Sequence, residues 1–161
     1  MRAPVRLLLL LAVTASAAGC GPTVDLTKGL QVLDVQSGWF DAGLVDGKNK
    51  LVPAITLKLK NVSDQKLVAL QLNAVFRRVN DPKEWGNRYL PVVGSAGLPP
   101  GATTAPIMIR SDLGYTGTEP RAEMLHNSIF VDAKVEVSAK YGSIQWVRIA
   151  DFPIKRDLFT Q

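Results

Sequence analysis

The chain has 161 residues, with 19 Lys and Arg against 14 Asp and Glu, one Cys and one His, a length that suits one domain and is short for two. Its near-average composition, 47% hydrophobic and 20% charged, excludes a disordered tail, a collagen-like chain and a multi-span membrane protein. A single Cys excludes an internal disulfide and a single His excludes a multi-histidine metal cage, so neither metal nor cofactor is expected.

Met1, Arg2 and Arg6 make a basic start, Leu7 to Val13 is an unbroken apolar run, and Ala15 to Gly19 is a small-residue segment. That order is the pattern of a secretory signal. The run is far shorter than the roughly 20 residues that span a bilayer, and Arg2 and Arg6 are not adjacent, which points to the general secretory route. The segment Ala17-Ala18-Gly19-Cys20 resembles the lipobox of bacterial lipoproteins, with Ala17 where Leu is commonest. Small residues let a peptidase approach the backbone, and a thiol is needed to take a thioether-linked diacylglycerol. The resemblance implies removal of residues 1–19, lipidation of Cys20, and a membrane held through acyl chains without being crossed. Gly21 stands where Asp would retain an enterobacterial lipoprotein in the inner membrane, so the same resemblance implies the periplasmic side of the outer membrane. Loss of Arg2 and Arg6 with the signal leaves 17 basic against 14 acidic residues. This mild excess, without a basic stripe, gives no expectation of a nucleic-acid partner.

Residues 20–29 read as a lipidated tether, with Pro22 and two Thr between Gly21 and Gly29, and 30–161 as one domain. Leu30 to Phe40 supplies an opening strand. Leu51, Pro53, Ile55, Leu57 and Leu59 then alternate with Thr56, Lys58 and Lys60, the period of a half-buried antiparallel strand. Asn61 to Lys66 has turn chemistry. Val68, Leu70, Leu72, Ala74 and Phe76 form the next apolar face, so a hairpin is expected between these two strands. Tyr89 to Val93 reads as a short edge strand because of Pro91. Leu98 to Gly101 reads as a loop, Thr104 to Arg110 as a strand, and Ser111 to Gly117 as a loop. Glu119 to His126 is the one expected helix, with Thr118 as cap and Pro120 in its first turn. Ser128 to Tyr141 alternates Ile129, Val131, Ala133, Val135, Val137 and Ala139 against charged residues, a long strand. Ile144 to Ile149 and Phe152 to Ile154 close the chain. About seven short strands with at most one short helix argue for an all-β, immunoglobulin-like antiparallel β-sandwich.

Leu57 to Asp64, the alternating strand after it, and Leu98-Pro99-Pro100-Gly101 before another strand together resemble FxLYD-type domains of bacterial envelope proteins. They are also similar to the water-stress (WHy) domain of late-embryogenesis proteins. The resemblance covers about Leu51 to Arg110 and implies a small β-sandwich in an envelope setting, with no catalytic residues to carry over. Where the FxLYD pattern has Tyr-Asp, this chain has Phe76-Arg77.

No nucleophile elbow, His-Glu-x-x-His pair or phosphate-binding glycine loop occurs. His126 stands beside turn-prone Asn127 and reads as a solvated or capping residue. Asp112, Glu119 and Glu123 read as loop charges. Asp41, Asp46 and Gly47 with Lys48-Asn49-Lys50 lack calcium-loop spacing and read as a solvated turn. The candidate binding surface is aromatic: Trp39, Phe40, Trp85, Tyr89 and Tyr115 fall at strand ends or in loops, where an exposed ring binds a protein, glycan or lipid surface. The preferred reading is that these rings plug the ends of the core, because Trp is usually largely buried. Trp146 reads as core. The expected protein is a membrane-anchored envelope lipoprotein that acts without catalysis as a binding or scaffolding accessory to an envelope protein partner. The alternative is a small-ligand or glycan-binding module.

Overall fold

A computed structural model describes residues 23–142 and 144–159; the signal segment and Cys20 lie outside the described residues. The elements in order are α1 (Leu26–Gly29), β1 (Leu30–Val45), β2 (Lys48–Asn61), β3 (Leu70–Arg78), β4 (Glu84–Val93), β5 (Ile107–Arg110), β6 (Tyr115–Gly117), α2 (Arg121–Met124), β7 (Ala133–Lys140) and β8 (Val147–Pro153). They form an antiparallel β-sandwich of two four-stranded sheets. One has the order β1-β2-β5, with β6 also pairing β2, and the other is β4-β3-β7-β8.

The alternating runs supply the core. Leu70, Leu72, Ala74 and Phe76 of β3 and Ala133, Val135, Val137 and Ala139 of β7 are buried with Leu51, Ile55, Leu57 and Leu59 of β2. Successive side chains of a strand point to opposite faces, so one pleat of each sheet fills the interior. In β2 the other pleat is also covered locally, because Val52 and Ala54 pair with Phe40 and Arg110 and the Arg110 guanidinium stacks 4.5 Å from the Phe40 ring.

β1 and β2 are joined by the two-residue turn Asp46-Gly47, between paired Val45 and Lys48. Both turn residues have positive φ, 50° and 75°, as a type I′ hairpin turn requires. The β1 edge is covered where Trp39 donates to the Asp157 carbonyl and accepts from the Phe159 amide, each at 2.8 Å. This short C-terminal segment closes that edge, while Phe152 and Pro153 belong to β8, the last edge of the other sheet. Pro91 lies in β4 at the edge of its sheet, where a missing N–H removes no ladder bond.

Several sequence expectations are corrected. β2 and β3 are not a hairpin; they lie in different sheets, and residues 62–69 carry the chain between them. Asn61 explains the crossover. Its buried Nδ2 donates to the carbonyls of Gln65 (2.7 Å) and Leu98 (2.8 Å), and its Oδ1 accepts from the Ser63 amide (3.0 Å) and hydroxyl (2.7 Å). The fold also begins before Leu30. Val24 and Leu26 are buried in the core, and Asp25 caps α1 by accepting from the Thr27 amide, so half of the expected tether is packed structure. The second helix is a single turn capped by the Pro120 backbone without help from Thr118. The long final run is a strand only from Ala133. Ile129 is 80% exposed while Phe130 is 6% exposed, the reverse of the expected phase. An Asx turn causes the shift, with the Ile129 amide donating to Asn127 Oδ1 at 3.0 Å.

Candidate functional site

The sandwich has two poles. The pole at the described N-terminus holds α1, the residues 62–66 loop and the turn after β7. The opposite pole holds the Asp46-Gly47 hairpin tip, the β3–β4 turn, β6, α2 and the residues 125–132 loop. A 14-residue β2 at about 3.3 Å per residue puts them roughly 45 Å apart.

Three of the five sequence-selected aromatics meet at the far pole. Trp39 is fully buried at the centre of a cluster, with ring centroids 6.1 Å from Trp85, 5.7 Å from Tyr115 and 4.6 Å from Phe130. Tyr115 lies 5.1 Å from Trp85 and 4.6 Å from Phe130. The offset and tilted geometries are those aromatic quadrupoles prefer. Plugging is therefore the role of Trp39, and Trp39 cannot serve as a binding surface. Phe40 is separate, half-buried under Arg110 on the outer face of its sheet. Tyr89, 53% exposed, and Trp146, 40% exposed, form a second pair, edge to face at 6.0 Å, with the Lys140 ammonium 5.0 Å from the Trp146 ring. Trp146 is thus a surface residue, contrary to its apolar flanks.

Above the cluster opens a pocket of about 250 Å³. Its apolar floor is Tyr115, Met124 and Phe130, and Lys48, Glu119 and Asn127 line its rim. Phe130 and Met124 carried no motif that would mark them in sequence. The floor is held in place by Arg156, which donates to Asp132 Oδ1 at 2.6 Å and to the carbonyls of Leu125 (3.2 Å) and Phe130 (2.9 Å). Its pKa is raised above the ordinary guanidinium value, first by the hydrogen bond to Asp132. Tyr115 Oη adds a bond to the Val131 carbonyl at 3.3 Å. On the other side, Asn49 Nδ2 donates to the Glu119 carbonyl at 2.8 Å, and an Asp41–Arg121 ion pair ties α2 to β1. The Asp41 carboxyl is held below its ordinary pKa, chiefly by the Arg121 hydrogen bond.

β6 can line this pocket only because Gly114 precedes it. A Cβ at Gly114 would lie 1.9 Å from the Leu51 carbonyl oxygen, so even a methyl forces the backbones apart. Gly114→Ala is expected to cost about 3 kcal/mol, the upper range of overpacking, and to weaken near-ultraviolet dichroism from the aromatic cluster. A urea melt superposing on the wild type would contradict this.

The remaining candidates are dispersed. Asp112 faces Arg88 at 3.3 Å, Glu123 is exposed and outside the pocket, and only Glu119 reaches its rim. His126 is exposed, its amide bonded to the Glu123 carbonyl at 3.0 Å. Among the described residues no group of three or more His, Cys, Asp or Glu is placed to hold a metal ion. No helix among them is long and apolar enough to cross a membrane.

No family model matches the chain, and no curated protein does. A solved structure, the X-ray structure of Northeast Structural Genomics Consortium target SoR45, aligns with 80% of this chain and 88% of its own at 14% identity and a TM-score of 0.44.

Proposed function

We propose that the protein is a lipid-anchored, non-catalytic binding accessory of the bacterial envelope, held at the membrane through Cys20 and presenting its far pole to a protein partner. The observation that carries this reading is the far-pole pocket and its apolar surroundings. Ile129 is 80%, Leu44 68% and Leu113 53% exposed, and such a concentration of large apolar groups at one end is the mark of an interaction surface. The pocket itself falls below the roughly 300–1,000 Å³ of typical small-molecule sites, a size that suits one apolar anchor side chain of a partner polypeptide. Lys48 and Glu119 at its rim supply charges of both signs to orient that partner. The lipobox-like segment supports the anchor, and the absence of catalytic motifs in the sequence supports the non-catalytic role.

A second reading, a glycan-binding module, is favoured by the exposed Tyr89–Trp146 pair, two aromatic rings that meet edge to face on the surface away from the far pole. Brief crosslinking in native cells followed by affinity purification distinguishes the two. The wild type is expected to yield one reproducible envelope protein, and Ile129→Glu to lose it at least tenfold, while Tyr89→Ala and Trp146→Ala retain it. Recovery of no partner, or loss that follows Tyr89 and Trp146 only, would overturn the far-pole assignment. In the same cells Cys20→Ala is expected to lack the diacylglycerol mass and to leave the membrane fraction.

A further inference from the structure

We infer that the pole carrying α1 rests directly on the bilayer surface and engages anionic lipid headgroups through Lys28, Lys60, Lys66 and Lys140. This inference rests on the lipid-anchor reading and goes beyond it, because an acyl chain on a long tether would leave the domain free of the surface. The folded start of the chain removes that freedom. Val24 is buried, and its amide donates to the Tyr141 hydroxyl, fixing the N-terminal end of the fold to the turn after β7. Only three residue steps separate Cys20 from Thr23 in the sequence, at most about 11 Å of extended chain. A lipidated Cys20 therefore places this pole within roughly one Debye length of the headgroups, where surface charges still act.

The charge of the pole matches that neighbour. Lys60, Lys66 and Lys140 have no carboxylate partner among the described residues, and Lys28 is 87% exposed with only a 3.7 Å contact to Asp25. Lys66 is pinned at the tip, with its stem against Gly97 and its ammonium 3.2 Å from the Ala96 carbonyl. Lys60 lies near the end of β2 and Lys140 at the end of β7, both half-buried, with the Lys140 ammonium 5.0 Å from the Trp146 ring, so both strands bring a cation to this end of the sandwich. Against them stand Asp25 and Asp64. Val62, 47% exposed beside Asp64, gives the tip an apolar contact. Each basic residue near an anionic leaflet strengthens attachment about fivefold.

The chain has one Cys, and lipidation converts it to a thioether, so Val62→Cys in the lipidated protein supplies a single free thiol for an environment-sensitive fluorophore. The labelled lipoprotein is reconstituted into vesicles of phosphatidylcholine with or without 30% phosphatidylglycerol. We expect a blue shift, and quenching by headgroup-region nitroxide lipids, only with phosphatidylglycerol. Both should disappear at about 1 M salt and in Lys60→Gln/Lys66→Gln/Lys140→Gln, while a label at Leu44→Cys stays silent throughout. A silent Val62 label on anionic vesicles, or equal signals on both compositions, would overturn the inference while leaving the anchor intact. A protein mass with unmodified Cys20 would instead overturn the anchor reading and this inference together.

Discussion

Asn61→Ala is expected to lower the unfolding free energy by about 3–4 kcal/mol. A fully buried asparagine amide here makes four hydrogen bonds, two donated and two accepted. Its removal deletes four hydrogen bonds at about 1 kcal/mol each, even though the Ser63 hydroxyl and the Gln65 carbonyl keep each other at 3.1 Å and the Leu98 carbonyl keeps the Leu67 amide at 3.0 Å. Backbone bonds converge on the same residue, from the Gly101 amide to the Asn61 carbonyl at 2.7 Å and from the Asn61 amide to the Ala102 carbonyl at 2.9 Å. Asn61 therefore clamps the crossover between the sheets to the loop before β5. Asn61→Asp should fail to rescue, since it keeps the acceptor, loses both donors and buries a charge. Urea denaturation of both variants, with amide exchange at Leu67 and Gly101, checks this. A change below 1 kcal/mol for Asn61→Ala would show that the clamp is dispensable.

Trp39→Ala is expected to cost about 3–5 kcal/mol, as truncating a fully buried large ring does. The ring touches Trp85, Tyr115 and Phe130 at once, so the pocket floor should loosen with it. Trp39→Phe should cost much less, because the buried indole Nε1 has no hydrogen-bond partner and its loss removes an unpaired donor. Thermal melts of the two variants test this ordering; equal destabilisation would mean that the indole nitrogen has a partner in solution. Trp85→Ala, at a half-buried position, should fall between them.

The strands at the heart of the sandwich were legible because β3 and β7 keep a period of two between core and the outer face throughout, and β2 keeps it from Ile55 onward. What the pattern could not supply was which strands pair. The β2–β3 hairpin is the natural reading of two alternating runs around a polar turn, and it fails because Asn61 turns inward, a role that residue type alone does not announce. Val24 and Leu26 are two apolar residues among Gly, Pro and Thr, too few to signal a packed helix turn without the β8 surface they meet. The phase error at Ile129 and Phe130 has a local cause in the Asn127 Asx turn, which rotates the chain by one residue before the strand begins. The aromatic end was half legible. Trp39, Trp85 and Tyr115 were singled out and do assemble, but the pocket depends on Met124 at the end of α2, Phe130 in the loop that follows, and the clamp of Arg156, which reaches Phe130 from 26 residues further along the chain.

Site-specific photocrosslinking in the native cell, comparing a photoreactive residue at Ile129 on the far pole with one at Val68 on the pole near α1, tests directly which end of the protein meets a partner. A far-pole interface gives a discrete adduct between position 129 and one envelope protein, and lipid or no protein at position 68. A protein adduct from position 68 with none from position 129 would contradict it.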